Sequence, residues 1–214
     1  MLALTWGLAA DIAKADFTFG EPSRLSHPVS SSSYEYGCSI SPDGLELYFS
    51  SGEPHGGYDL YVVSRTTPDD VWGNRTSLGP FINTSRFNLS ASLSSDGLSL
   101  FFSQGPSVGN QAIWVTTRQT LDGPWGSPTE LGPAINKGVK NTEPAVSADG
   151  LSLYFARDET GDYDIFVATR PTVYSEWGEA VRLGPGVSTG FDESGPYITP
   201  DGLCLLLSSG SRYF

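Results

Sequence analysis

One dipeptide, Asp-Gly, recurs along this chain at nearly constant spacing, and that spacing constrains the fold more than any other feature. It stands at Asp43-Gly44, Asp96-Gly97, Asp149-Gly150 and Asp201-Gly202, at steps of 53, 53 and 52. An aromatic-Gly pair keeps the same steps at Phe19-Gly20, Trp72-Gly73, Trp125-Gly126 and Trp177-Gly178. From the glycine of that pair to the turn Asp is 23 residues in every copy. A Leu-Gly-Pro element follows the pair at Leu78, Leu131 and Leu183, with a degenerate Leu25-Ser26-His27-Pro28 in the first copy. Markers held in register over four copies define an internal repeat, and periods of this size belong to stacked or ring architectures.

Each copy reads as four short strands. The first ends at a Ser-x-Asp-Gly hairpin marker, as in Tyr36–Ser41, and an alternating strand such as Leu45-Glu46-Leu47-Tyr48-Phe49 follows. In the first turn Pro42 presets φ, Asp43 tolerates the bridge region, and Gly44 takes the positive φ that closes the hairpin. The Asp is therefore read as structural. A third strand comes at Asp59–Val62, Ala112–Val115 and Asp164–Val167, and each runs to an Arg (Arg65, Arg118, Arg170). A polar turn and the repeat Trp72, Trp125 or Trp177 then open the fourth strand. The single-residue deletion in the last step falls between second and third strands, where loops tolerate it. Four-stranded units of this length predict an all-β propeller, with the repeat Trp packed between blades. Composition agrees: 25 Gly and 15 Pro in 214 residues disfavour helices, and 12% aromatics disfavour disorder. Tandem sandwich modules, the other reading, need about 100 residues each.

At these residues the chain resembles a known family. Ser-x-Asp-Gly-Leu-x-Leu-(Tyr/Phe)-Phe, Gly-x-x-Asp-(Leu/Ile)-aromatic-Val, Trp-Gly and Leu-Gly-Pro are similar to WD40-like β-propeller repeats of the TolB type, found in bacterial secreted and envelope proteins. The resemblance covers roughly residues 19–214. It implies an extracytoplasmic (periplasmic or secreted) binding platform rather than an enzyme. Ala112 departs from it, standing where Asp59 and Asp164 stand in the other copies. The last copy also departs, because Phe214 precedes its third strand, its Arg and its Trp. The blades are expected at about 20–72, 73–125, 126–177 and 178–214, with the fourth truncated. The chain is then a fragment or an open arc, with further blades or domains in a longer parent chain. Residues 1–18 read as a signal remnant or linker: Leu2–Ala10 is apolar and Ala13-Lys14-Ala15 resembles a cleavage site, but no basic residue precedes them.

The formal charge is −12, and only 3 of 12 basic residues are Lys, so nucleic acid is not an expected partner. No apolar run reaches the ~18 residues of a membrane span. Cys38 and Cys204 differ in repeat phase and are read as two small buried thiols rather than a bridge. His27 and His55 are single loop residues, so neither a triad nor a metal site is expected. No cofactor is expected. The acidic stretch Asp158–Asp164 could attract Ca²⁺ but lacks the EF-hand spacing.

One slot does carry candidate chemistry. Eight residues before each turn Asp stand Glu35, Asn88, Asn141 and Glu193, where the innermost strand opens near one mouth of the channel. Two Glu and two Asn converging there would hydrogen-bond a polar ligand, or simply tie strand ends. Loops between second and third strands, and between fourth and first, share that mouth. They bring Asn83, Asn136, Glu53, His55, Tyr58, Arg157 and Asp158. The ligand-binding set expected is therefore Glu35, Asn88, Asn141, Glu193, His55, Tyr58 and Arg157, for a protein or glycan partner. The alternatives are a carbohydrate-active hydrolase using Glu35 and Glu193, or a purely structural repeat segment.

Overall fold

The repeat Asp-Gly turns fold as their chemistry demands, and the sheets follow from them. In the computed structural model the described residues are 20–52, 56–84, 87–138, 140–159 and 161–210. In the first turn the Ser41 hydroxyl and the Leu45 N–H both donate to Asp43 Oδ1, at 2.5 and 3.0 Å. Asp96, Asp149 and Asp201 repeat this pair of bonds. The turn glycines take φ of +74°, +70°, +70° and +71°, and at Gly97 a Cβ would stand 2.7 Å from Leu121. These bonds hold each turn Asp below its ordinary pKa. At Asp43, Asp149 and Asp201 the serine or threonine hydroxyl is the main cause; at Asp96 burial opposes it and loses.

Each turn joins the two inner strands of a meander. The first sheet is β1 (Glu35–Ile40), β2 (Glu46–Gly52), β3 (Tyr58–Ser64) and β4 (Thr76–Ser77). The second is β5 (Phe87–Leu93), β6 (Ser99–Ser107), β7 (Asn110–Thr117) and β8 (Thr129–Glu130). The third is β9 (Asn141–Val146), β10 (Ser152–Asp158), β11 (Tyr163–Thr169) and β12 (Val181–Arg182). The fourth pairs β13 (Asp192–Ile198) with β14 (Leu205–Gly210). Within each sheet the pairing is antiparallel. The fold is an all-β propeller arrangement with three four-stranded blades and two strands of a fourth.

The outermost strands differ from the sequence reading. They are two residues long and begin four residues after the repeat Trp, as at Thr76 after Trp72. The sheets are also out of phase with the sequence copies. A copy counted from one Trp-Gly to the next opens on the outer strand of one sheet and continues into the inner strands of the next. Neighbouring blades are thereby joined covalently at their rims.

The repeat Arg and Trp form one device. Arg65, Arg118 and Arg170 donate Nε–H to the carbonyls of Gly44, Gly97 and Gly150, at 2.7–2.8 Å. Their guanidinium carbons lie 4.2, 4.6 and 4.2 Å from the ring centroids of Trp72, Trp125 and Trp177. Trp125 meets Tyr48 of the preceding blade edge-on, and Trp177 meets Phe101 of the blade before it. The expected packing between blades is thus present. The core lies between sheets: Tyr48 and Leu60 pack with Leu93, Leu100 and Phe102, and Phe101 and Ile113 with Leu153 and Phe155. The inner strands are stitched by hydroxyls. Leu93 N–H donates to Ser39 Oγ, and Val146 N–H to Ser92 Oγ, each at 3.0 Å.

The cysteines differ from expectation in burial. Both are free thiols, but Cys38 is exposed and Cys204 half-buried, because the inner strand carrying Cys38 is largely exposed along its length. Among the described residues no helix is long and apolar enough to cross a membrane. The Met1–Thr18 segment lies outside the described residues.

Candidate functional site

The Glu/Asn slot opens the inner strands as the sequence predicts, and each member lies opposite a second-strand residue in register. The pairs are Glu35 with Ser51, Asn88 with Gln104, Asn141 with Arg157 and Glu193 with Ser209. Their polar atoms are engaged locally. Glu35 accepts from the Ser31 N–H and hydroxyl at 3.1 and 2.5 Å. Glu193 accepts from the Thr189 N–H and hydroxyl and from Ser209, at 2.8, 2.5 and 2.8 Å. Burial pushes Glu193 up, but these bonds and nearby Arg182 outweigh it, so its carboxyl is held below the ordinary value. Asn88 accepts from Gln104 at 2.6 Å and donates to the Tyr58 carbonyl at 3.2 Å. Asn141 accepts from Arg157 Nε at 2.8 Å and donates to the Lys137 carbonyl at 3.3 Å.

Arg157 is buried (2% exposed). It also donates to the Ile135 carbonyl, pairs with Glu159, and stacks over Phe155 and Phe166. Asn83 and Asn136 are likewise turned inward. Each brackets one third-strand residue, Leu60 or Ile113, accepting its N–H and donating to its carbonyl. The sequence placed these two asparagines on an open face; the structure engages them in holding the loop to β3 or β7. In the acidic stretch, Asp158 pairs with Lys140 and Asp164 with Arg182. Among the described residues no group of three or more His, Cys, Asp or Glu is placed to hold a metal ion. Glu53 and His55 lie outside the described residues.

One step further along the inner strands the repeat does something the sequence reading missed. Two residues after the slot stand Gly37, Ser90, Glu143 and Gly195, with φ of +47°, +57°, +55° and +58°. The register shifts at this point in all four sheets, so each inner strand carries a bulge. Glycine adopts that φ freely; Ser90 and Glu143 do not. At Gly37 a Cβ would lie 2.4 Å from Ser90 Cα, so the bulges of adjacent blades touch. The Gly195 N–H donates to Glu143 Oε2 at 2.6 Å. Burial holds the Glu143 carboxyl above its ordinary value, with that one bond opposing it. A glutamate in a column of small residues was the signal that could have revealed it.

These bulges floor a cavity of about 330 Å³ at the loop-rich mouth. Tyr36, Tyr58 and Tyr163 form aromatic wall, and Glu143 and Asp192 supply carboxylates. Tyr36 and Tyr58 meet edge-on with centroids 5.3 Å apart, and Phe87 lies 5.9 Å beyond Tyr58. Gln111 occupies the repeat position of Tyr58 and Tyr163. It is 4% exposed, and its Nε2 has no hydrogen-bond partner among the described residues. Of the predicted ligand set, Tyr58 lines the cavity, whereas Glu35, Asn88, Asn141, Glu193 and Arg157 are not among its lining residues.

No protein-family model and no curated protein matches the sequence. Solved structures do match in fold. TolB from Acinetobacter baumannii has a TM-score of 0.58 at 20% identity, over 83% of this chain and 38% of that one. Alpha-L-arabinofuranosidase from Lactobacillus brevis gives 0.54 at 19%, over 88% and 69%. Endo-arabinase from Bacteroides thetaiotaomicron gives 0.54 at 13%, over 83% and 74%. The chain thus spans well under half the length of the TolB structure. At these identities the likeness establishes the propeller fold, including that of TolB, and nothing finer.

Proposed function

We propose that the chain is a non-catalytic binding module of a bacterial extracytoplasmic protein, taking a protein or glycan partner at the loop-rich channel mouth. One observation carries this reading: the cavity there combines three tyrosines, two carboxylates and a buried amide donor left without a partner among the described residues. Concave sites with apolar walls and a few convergent polar groups are where ligands sit, and an unmet buried donor is costly without one. The slot residues Glu35, Asn88, Asn141 and Glu193 act as positioning residues for that mouth. The TolB-type resemblance and the apolar Leu2–Ala10 segment support the extracytoplasmic location.

The test is a binding screen on glycan and peptide arrays, repeated with Tyr58→Ala. Binding that falls at least about tenfold in the variant supports the site; hits indifferent to Tyr58 and Glu143 place it elsewhere.

A hydrolase reading keeps one observation in its favour. Burial pushes the Glu143 carboxyl above its ordinary value, the direction a general acid requires. An alpha-L-arabinofuranosidase and an endo-arabinase share this fold, whereas Glu35 and Glu193 are bound to loop donors. Turnover of chromogenic glycosides that Glu143→Gln abolishes would replace the binding-module reading.

A further inference from the structure

Among the described residues the charge of the channel-mouth cavity is one-sided: the carboxylates of Glu143 and Asp192 line it, and no described Lys, Arg or His does. None of the four ion pairs among the described residues includes Glu143. A half-buried carboxylate with no counter-charge among the described residues favours an incoming cation. Beside it, Tyr36, Tyr58 and Tyr163 offer faces that attract an ammonium and cover its methylene stem.

A separate observation narrows the ligand. Gln111 lines the same cavity, is 4% exposed, and leaves Nε2 without a partner among the described residues. An ammonium has donors only and cannot satisfy it; a peptide carbonyl can. Anion, aromatic wall and amide donor together match one residue type within an extended peptide. A neutral sugar would meet Gln111 and stack on the tyrosines, but it would bring no charge to Glu143.

We propose that the cavity binds a lysine side chain of a peptide or protein partner. The ammonium lies against Glu143, the stem against Tyr36, Tyr58 and Tyr163, and a flanking backbone carbonyl accepts from Gln111 Nε2. This rests on the binding-module reading above. It also makes affinity pH-dependent. The titratable groups that share the cavity with Glu143 of β9 are Tyr36 from β1, Tyr58 from β3, Tyr163 from β11 and Asp192 from β13, beside neutral Gln111 from β7. Lys140, three residues before Glu143, is paired with Asp158. Lysine stays charged throughout the acidic range, so binding tightens as pH rises and Glu143 loses its proton, then levels off.

The experiment is calorimetric titration of the whole chain with acetyl-Gly-Lys-Gly-amide. Its norleucine and acetyl-lysine counterparts and neutral arabino- and chito-oligosaccharides are run beside it. The lysine peptide should bind at least about tenfold tighter than either uncharged peptide, a comparison that needs no variant. Glu143→Gln should erase that ratio while leaving the norleucine peptide unchanged. Gln111→Ala should weaken lysine and norleucine peptides alike. Equal binding of lysine and norleucine peptides overturns the inference. So does an oligosaccharide bound tighter than either in a Tyr58-dependent way, but that result leaves the binding-module reading standing. If the lysine peptide fails and the arrays also yield no Tyr58-dependent hit, both fall.

Discussion

The two faces of this molecule are built from the same repeat and differ in how faithfully they copy it. On the turn face all four copies carry the same hydroxyl, Asp and Gly with the same bonds. A cavity of about 340 Å³ exists there too, but four of its charged groups, Asp43, Glu46, Asp96 and Arg118, are engaged. Arg118 pairs with Glu46 and holds the Gly97 carbonyl, while Asp43 and Asp96 close turns. At the channel mouth the columns diverge: Tyr58, Gln111 and Tyr163 share one position, and Gly37, Ser90, Glu143 and Gly195 another. The faithful face supplies stability. The divergent face holds a glutamate at positive φ and, among the described residues, an unmet donor, the two features on which the proposed binding role rests.

Four experiments break or sharpen that contrast, in falling order of effect. Trp125→Ala removes the aromatic that joins the first two blades and the stacking surface of Arg118. It should cost about 3 kcal/mol, read as a lower urea midpoint, and an unchanged midpoint would show that the blades stand independently. Asp96→Ala strips two turn hydrogen bonds and should cost about 1 kcal/mol by the same measurement, without altering ligand binding.

Glu143→Gly should have the opposite sign. It releases a positive φ that glycine adopts at Gly37 and Gly195, and should raise stability by up to about 1 kcal/mol, seen as a higher melting temperature. Ligand discrimination should vanish in the same protein. A lower melting temperature would mean that Glu143 holds the bulge rather than serving the cavity.

The smallest effect is in pH. The turn aspartates are shifted below 3.8, so the unfolded chain binds more protons just below that value. Their stabilisation is present above pH 3.8 and is lost as pH falls through their lowered values. Glu143 is shifted above 4.5, so the folded chain holds the extra proton there. Its contribution declines as pH rises from 4.5 through the raised value. Denaturation of wild type and Glu143→Gln from pH 3 to 8 should show the two curves converging on the acid side of that window and parting above it. Curves that remain parallel throughout would remove the buried carboxylate from the account.

Much of this was legible because repetition amplifies weak signals. Pro42 and Gly44 suggest one turn; the same chemistry at Asp96, Asp149 and Asp201 establishes a meander. The Trp column, its packing between blades and the opening of inner strands at Glu35, Asn88, Asn141 and Glu193 were readable in the same way. What the slot does was not legible, since a side chain at a strand start faces either loop donors or a ligand, and only the folded structure shows Thr189 and Ser31 already bonded there. Outer strands two residues long leave no period to detect. Glu143 was hidden for the reverse reason: its column is defined by a backbone bulge, which small residues mark faintly.

The backward lean of the repeat tryptophans has a consequence for how the chain is made. Trp125 seals the boundary between β2 and the following sheet, although 77 residues separate it from Tyr48. During synthesis the first sheet can form its meander early, yet its apolar flank, met first by Leu93, Leu100 and Phe102, stays only partly covered until the next repeat has almost wholly emerged. Trp177 imposes the same delay on the second sheet. A ribosome translating this protein therefore always carries one completed meander whose cover is still being polymerised, and pauses within a repeat would prolong the interval in which that flank can meet the wrong surface.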